Sequence, residues 1–336
     1  MSRALVISLQ YSKFSFRLNG CFRDSDNFIK RLRNIDPSIT IITMRDDLPQ
    51  TSKFFPTTSN IVRELCNLCE ARESKLFLYY SGHGTTAQDF NKDELTLTQT
   101  TEGKNIANIG SLLADSCLVT NEKNSVNILT DDRIGTILST LSAEKTLYSF
   151  LDCCNSGTGL DLCWVTMGKF SSQFTSTTWT NLQKEMDQKC SIVQANYPDK
   201  VNNCKANIIA FSGTRDNSYS YEGSVNGQVS GFFTFMLCNL LDTDISTITL
   251  RQFYYSLIAL LNNKKQIPVL SCSRNLSLDT VMSDFKLKTK NKTVLLTNAK
   301  IPTFRTLNWD TDQNASPVNM TGLYIACLHR QRNLHR

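Results

Sequence analysis

Leu147-Tyr148-Ser149-Phe150-Leu151-Asp152-Cys153-Cys154-Asn155-Ser156-Gly157 is an apolar run that stops at a carboxylate, two thiols and a polar turn. The apolar part has the length and composition of a buried strand. Asn155-Ser156-Gly157-Thr158-Gly159 has the composition of a turn. Cys154 is therefore expected where a strand ends and the chain bends over its top. In an open α/β sheet, chemistry sits outside the carboxyl ends of the strands. What matters next is which other strand end meets this one.

Outward from this stretch the chain alternates. Strands are expected at residues 4–9, 39–43, 76–80, 117–119, 208–211 and 267–272, the last with Pro268 suited to a strand start or edge. Helical patterns follow Gly20, Thr57-Thr58-Ser59-Asn60 and Thr130-Asp131-Asp132, and run over 231–241 and 250–261. Alternating strands and helices imply an α/β fold: a mainly parallel central sheet of about six to eight strands with helices on both faces. Residues 85–115 are polar and irregular and read as a long surface loop. Residues 162–205 are rich in Thr, Ser, Gln and Lys with little periodicity, and read as an exposed linker or loop.

The 336 residues allow one large or two modest domains, and 40% hydrophobic with 20% charged residues is an ordinary globular balance. No run of about 18 apolar residues is present, so no membrane-spanning helix is expected. Met1-Ser2-Arg3 before Ala4-Leu5-Val6-Ile7-Ser8-Leu9 reads as a first strand, not a signal peptide. The 12 cysteines then read as reduced thiols of a cytoplasmic protein and not as a disulfide scaffold.

The net charge of +6 is unevenly spread. From Lys286 to Arg336 the net is +7, and the preceding residues sum to −1. The stretch 286–336 is thus a basic C-terminal extension. It has no dense basic cluster and no aromatic interleaving, so a solvated extension is expected and a nucleic-acid or membrane partner is not.

There are three histidines, and His329 and His335 lie in the extension. His83 follows the apolar run Leu76-Phe77-Leu78-Tyr79-Tyr80 between Gly82 and Gly84, which permit close backbone approach. A lone histidine of this kind is commonly just a satisfied core residue. Here it ends a strand, as Cys154 does, and neighbouring parallel strands would bring the two together. A thiol beside an imidazole is the minimal nucleophile pair: the ring takes the thiol proton and later protonates the leaving amine. Cys153 and Cys154 point to opposite sides, so only one can face His83.

These residues resemble a known family. Tyr80-Ser81-Gly82-His83-Gly84 and Asp152-Cys153-Cys154-Asn155-Ser156-Gly157 are similar to the two catalytic signatures of metacaspases, in the clan of caspase-like cysteine peptidases. Gly20-Cys21-Phe22-Arg23-Asp24, Ile128-Leu129-Thr130-Asp131-Asp132, Thr158-Gly159-Leu160-Asp161-Leu162, Phe211-Ser212-Gly213 and Gln266-Ile267-Pro268-Val269-Leu270-Ser271-Cys272 resemble further family motifs, in the family's order. The resemblance spans roughly residues 1–285. It implies a caspase-like peptidase domain there, with a large-subunit-like part at 1–161, the linker at 162–205 and a small-subunit-like part at 206–285. It implies a monomer.

Carried over residue by residue, the resemblance implies His83 as general base and Cys154 as nucleophile, with the amides of Gly84 and Cys154 as oxyanion hole. It places Cys21, Asp24, Ser81 and Asp152 in the pocket for the residue before the scissile bond. Two carboxylates in one cleft attract a cation, so protein or peptide substrates with Arg or Lys at that position are implied. Asp24 taken alone is also what a helix N-terminus favours. Asp131, Asp132, Asp161 and, through a looser match, Asp115 correspond to family ligands of an activating Ca²⁺; clustered carboxylates supply the oxygens calcium takes. No organic cofactor is implied. The implied activity is a cysteine endopeptidase, and self-cleavage is expected at one or more of Lys169, Lys184, Lys189, Lys200 and Lys205 in the linker-like stretch.

The chain departs from the pattern at Asn155, where the family has His, and in the 214–222 stretch. These departures fit the rival reading of a catalytically silent caspase-like scaffold that binds partners. Cys66-Asn67-Leu68-Cys69 has no second cysteine pair at zinc spacing and reads as boundary residues of an amphipathic helix.

Overall fold

In a computed structural model, the described residues are 1–89, 95–99, 105–109, 114–166, 176–196, 198, 204–216, 218–225, 227–261 and 266–288. The sheet that organises them has seven strands: β1 (Ser2–Ser8), β2 (Thr40–Arg45), β3 (Lys75–Ser81), β9 (Thr146–Asp152), β10 (Trp164–Val165), β11 (Asn207–Ser212) and β14 (Val269–Cys272). Their order is β10-β14-β11-β9-β3-β1-β2. The pairs from β2 to β11 are parallel, and β14 and β10 are antiparallel to their neighbours. The expected mainly parallel sheet is therefore present.

The central strands are continuous apolar runs because both faces are covered. Alternation sorts their side chains. Phe77 and Tyr79 of β3, Phe150 of β9 and Phe211 of β11 belong to one core. Leu76, Leu78, Tyr80, Leu147 and Leu151 belong to the other. The first core is closed by α1 (Cys21–Ile35), α5 (Phe232–Leu241) and α6 (Leu250–Leu261), through residues such as Phe28, Phe233 and Phe253. The second is closed by α2 (Thr58–Cys69) and α3 (Asp131–Leu138), through Ile61, Leu65 and Ile134. Thr57 caps α2 by accepting a bond from the Asn60 amide at 3.2 Å. The eleven described cysteines are free thiols.

Two stretches expected as loops hold regular structure. Residues 85–115 contain most of β4 (Gly84–Gln88), all of β5 (Leu95–Gln99) and β6 (Asn105–Ile109), and the start of β7 (Ala114–Asn121). A small sheet joins β4, β7 and β8 (Val126–Thr130), and β5 pairs with β6. The polar residues Thr85, Asp115, Ser116, Thr120 and Asn121 are buried there, which hides the strands from a hydrophobicity reading. The 162–205 stretch supplies edge strand β10 and helix α4 (Ser176–Asn196). That helix buries Met186, Cys190 and Val193, a stripe too narrow to give a clear helical period. A hairpin of β12 (Glu222–Val225) and β13 (Gln228–Gly231) lies beside α1. Among the described residues, no helix is long and apolar enough to cross a membrane.

Candidate active site

The site is built at the carboxyl ends of β1, β3 and β9. Strands β3 and β9 are direct neighbours, and their last registered pair is Ser81 with Asp152. His83 and Cys154 each lie two residues further on, so the parallel pairing brings both over one rim. Gly84 makes the approach possible. A Cβ there would lie 1.9 Å from the Cys154 carbonyl oxygen, so no other residue fits.

The imidazole is held on all sides. His83 is buried, with the Tyr11 ring tilted against it at 4.9 Å and the Phe16 ring edge-on at 5.6 Å. Its Nε2 lies 2.6 Å from the Phe16 carbonyl oxygen, which can only accept, so Nε2 carries the hydrogen and Nδ1 keeps its lone pair. Burial pushes the His83 pKa below its ordinary value, so the ring is a neutral base at pH 7. The Tyr11 hydroxyl lies 3.1 Å from the His83 amide and the Tyr80 hydroxyl donates to the His83 carbonyl at 2.8 Å.

The two cysteines divide as alternation requires. Cys153 is buried in the second core. Cys154 is half-buried, and its Sγ rests on the backbone of Ser220: the Ser220 amide donates to it at 3.4 Å and the thiol faces the Ser220 carbonyl at 3.7 Å. Burial pushes the thiol up to about 11, and the Ser220 contact opposes that. A thiol in this state needs a base to become a nucleophile.

The four residues expected to line the substrate pocket are brought together. Cys21 and Ser81 are buried and hydrogen-bonded through their side chains. Asp24 and Asp152 are buried and both approach Gly231. A Cβ on Gly231 would lie 2.2 Å from Asp152 Oδ2 and 3.3 Å from Asp24 Oδ2. Asp24 accepts from the Ser230 hydroxyl and from the Gly231 amide at 2.8 Å. Asp152 accepts from Ser220 Oγ at 2.7 Å and from Thr234 Oγ1 at 2.6 Å and its amide at 3.1 Å. Burial, and then the Asp152 carboxylate, push Asp24 up to about 8. Burial also raises Asp152, against the Thr234 and Ser220 bonds. No cation balances this pair among the described ion pairs. Asp24 thus turns to the β12–β13 hairpin, while the amides that open α1 are met by another residue.

That residue is Glu222, which sequence reasoning missed. Its carboxylate accepts from the Asn19 amide at 3.1 Å and the Gly20 amide at 2.9 Å, and burial raises its pKa. It places a third acid next to Asp24. Thr234 and Ser230 were missed as well. No local pattern marks them, because their partners lie 82 and 206 residues away.

The acidic residues expected around calcium behave differently. Asp131 Oδ2 accepts from the Ser116 amide at 2.9 Å and the Thr158 hydroxyl at 3.4 Å, and Oδ1 from the Asp132 amide at 3.1 Å. Asp161, at φ +57°, sets its carboxylate against Gly135 on α3. Asp115 is buried on β7 beside Ser116. Among the described residues, no group of three or more His, Cys, Asp or Glu side chains is arranged to hold a metal ion.

The sheet thus carries a thiol and an imidazole over adjoining strand ends. Residues 2–163 match the family model described as metacaspase, peptidase C14 domain. Over that stretch, just under half of its length, the chain is similar to the metacaspases, a family of cysteine peptidases. It is 26% identical to Metacaspase-1 of Eremothecium gossypii over 82% of this chain and 65% of that protein. It is also 26% identical to Metacaspase-1 of Kluyveromyces lactis, over 82% of this chain and 66% of that one. The chain therefore spans just under two thirds of the length of these curated relatives. Among solved structures, protein GSU0716 of Geobacter sulfurreducens is similar in fold, with a TM-score of 0.53 at 16% identity over 86% of this chain and 99% of that one.

Proposed function

We propose that this chain is a cysteine endopeptidase that cleaves after Arg or Lys. The observation that carries the reading is the buried imidazole with its Nδ1 free of the Phe16 contact, over the same rim as a half-buried thiol. In this reading His83 Nδ1 takes the Cys154 proton as Sγ attacks the scissile carbonyl carbon. The amides of Gly84 and Cys154 receive the oxyanion. The intermediate collapses, the C–N bond breaks, and the imidazolium returns its proton to the leaving amine. Water, deprotonated by the same ring, then hydrolyses the thioester and frees the thiol. The Asp24–Asp152 pair supports a guanidinium or ammonium at the residue before the bond, because two buried acids without a counter-ion gain most from a cation.

The test is hydrolysis of fluorogenic peptides ending in Arg, Lys or Asp, with Cys154→Ala as control. Arg or Lys turnover abolished by the substitution is the expected result. No turnover of either, with or without millimolar calcium, would leave the silent scaffold as the better reading, and cleavage after Asp alone would overturn the pocket assignment. Calcium activation is a separate proposal. Its support is that Asp131, Asp132 and Asp161 gather at the start of α3, although Asp131 is now turned to protein donors. Self-processing is proposed at Lys184 or Lys205, both exposed; the side chain of Lys189, and Lys169 and Lys200 altogether, lie outside the described residues. Fragment sequencing after incubation with calcium decides it.

A further inference from the structure

We propose that Asn155 is a positioning residue that latches the turn after the nucleophile to the 214–220 segment and so holds Ser220 against the Cys154 sulfur. The catalytic meaning of the latch rests on the proposed role of Cys154; its existence does not.

Three observations meet at Asn155. Its backbone is left-handed, with φ +49°. Asn is among the few residues besides glycine that adopt this conformation readily. The conformation turns both hydrogen-bonding ends of the residue to one side. The side-chain Nδ2 donates to the Asp216 carbonyl, and the backbone amide donates to the Ser218 carbonyl at 3.2 Å. Two residues beyond Ser218, the Ser220 backbone contacts Cys154 Sγ through both its amide and its carbonyl. The chain thus leaves Cys154, is pinned at Asn155, and the pinned segment returns to the sulfur.

The remaining contacts of this seam hold the segment without touching the sulfur. Asp216 Oδ1 accepts from the Thr158 amide at 2.7 Å and the Ser116 hydroxyl at 3.0 Å. Ser156 Oγ reaches the Thr214 carbonyl at 3.4 Å. These fix the segment near residues 214–216. Ser220 Oγ is separately tied to Asp152 Oδ1 at 2.7 Å and to Gln266 Nε2 at 3.0 Å, so losing the Asn155 contact loosens the backbone at Ser218 and Ser220 while the Ser220 side chain stays anchored. The geometry needs a donor, since the acceptor is a carbonyl. A carboxylate of the same shape would set like dipoles against each other. This explains why an amide serves at the position where the family has an imidazole, which can also donate.

Asn155→Gly keeps the left-handed backbone and removes the donor. Asn155→Asp keeps the shape and removes the donor. Two measurements on the full chain decide the proposal. Hydrogen exchange is expected to speed at the Ser218 and Ser220 amides by about tenfold or more in both variants, with the amides of β9 and β11 unchanged. With a P1-Arg peptide, kcat per titrated thiol is expected to fall about tenfold or more while KM stays within about twofold. A purely structural role would lower the number of titratable thiols and leave kcat per thiol unmoved. Unchanged exchange at Ser218 and Ser220, or an unchanged kcat per thiol, would overturn the proposal. If the wild-type chain hydrolyses no peptide, the exchange arm still decides the latch, and it is the peptidase reading that fails.

Discussion

Asp24 and Asp152 face a single glycine, Gly231, whereas Asp131 turns to Ser116 and Thr158 and Asp161 packs against Gly135. Both sets follow strands or open helices, and in sequence both read as carboxylates gathered for a cation. In the structure the first set meets at one glycine, while Asp131 of the second turns to protein donors. The Asp24–Asp152 pair is buried, shares one point and has its pKa values raised, so it holds unmet electrostatic demand. Asp131 spends its oxygens on two amides and a hydroxyl, which anchor α3 to β7 and to the turn after Cys154. On the proposed reading, the carboxylates that take a cation are the ones whose environment leaves their charge unbalanced, not those merely close in number or sequence.

The sharpest break of this contrast is Asp152→Ala. Truncating one partner of a desolvated charge contact costs roughly 2–5 kcal/mol. For a P1-Arg peptide, kcat/KM is expected to fall about 30-fold or more, since each 1.4 kcal/mol is about tenfold. Asp131→Ala, in the absence of calcium, is expected to leave the same ratio within about threefold per titrated thiol. Steady-state kinetics on the two variants side by side checks both. An equal fall in the two would erase the distinction between the clusters.

A second test reads protons. Asp24 titrates near 8 in the folded chain against 3.8 unfolded, so the folded state holds its proton more tightly. Its ionisation opposes folding: the stability it permits at pH 4 is lost as pH rises towards 8. At pH 7 a cation entering the cleft must displace that proton. Calorimetry in buffers of different ionisation enthalpy is expected to show release of about one proton when a P1-Arg inhibitor binds. Asp24→Asn is expected to abolish the release and to flatten the fall of Tm between pH 5 and pH 8. A wild-type complex that releases no proton would mean the pair binds its cation already ionised.

Much of this was legible in the residues, and the exceptions have a common cause. Strands β1, β3, β9 and β11 were readable because burial on both faces forces unbroken apolar runs such as Leu76–Tyr80. The strand ends carrying His83 and Cys154 followed from those runs. Strand β7 was readable only in part because Ser116, Thr120 and Asn121 are buried by hydrogen bonds and not by hydrophobicity. Helix α4 was hidden by its thin apolar stripe. Glu222 was hidden because the amides it meets lie 202 residues earlier or more. Asn155 stood out as a departure, but its role depends on a left-handed turn that no composition announces.

The smallest expected effect tests the second cluster on its own terms. Asp131→Asn keeps the shape but turns one acceptor into a donor, facing the amide of Ser116 or of Asp132. A buried amide left without its acceptor costs about 1–3 kcal/mol, while the Thr158 hydroxyl keeps a partner in Ser116 Oγ at 3.0 Å. The expected loss of stability is about 1–2 kcal/mol by urea titration, with an unchanged m-value. If calcium binds at the start of α3, wild-type stability rises with millimolar calcium and this variant's does not, since the ion would have to draw Asp131 off Ser116. If calcium leaves the wild type unmoved while the substitution still costs its 1–2 kcal/mol, Asp131 is an anchor of α3 and nothing more.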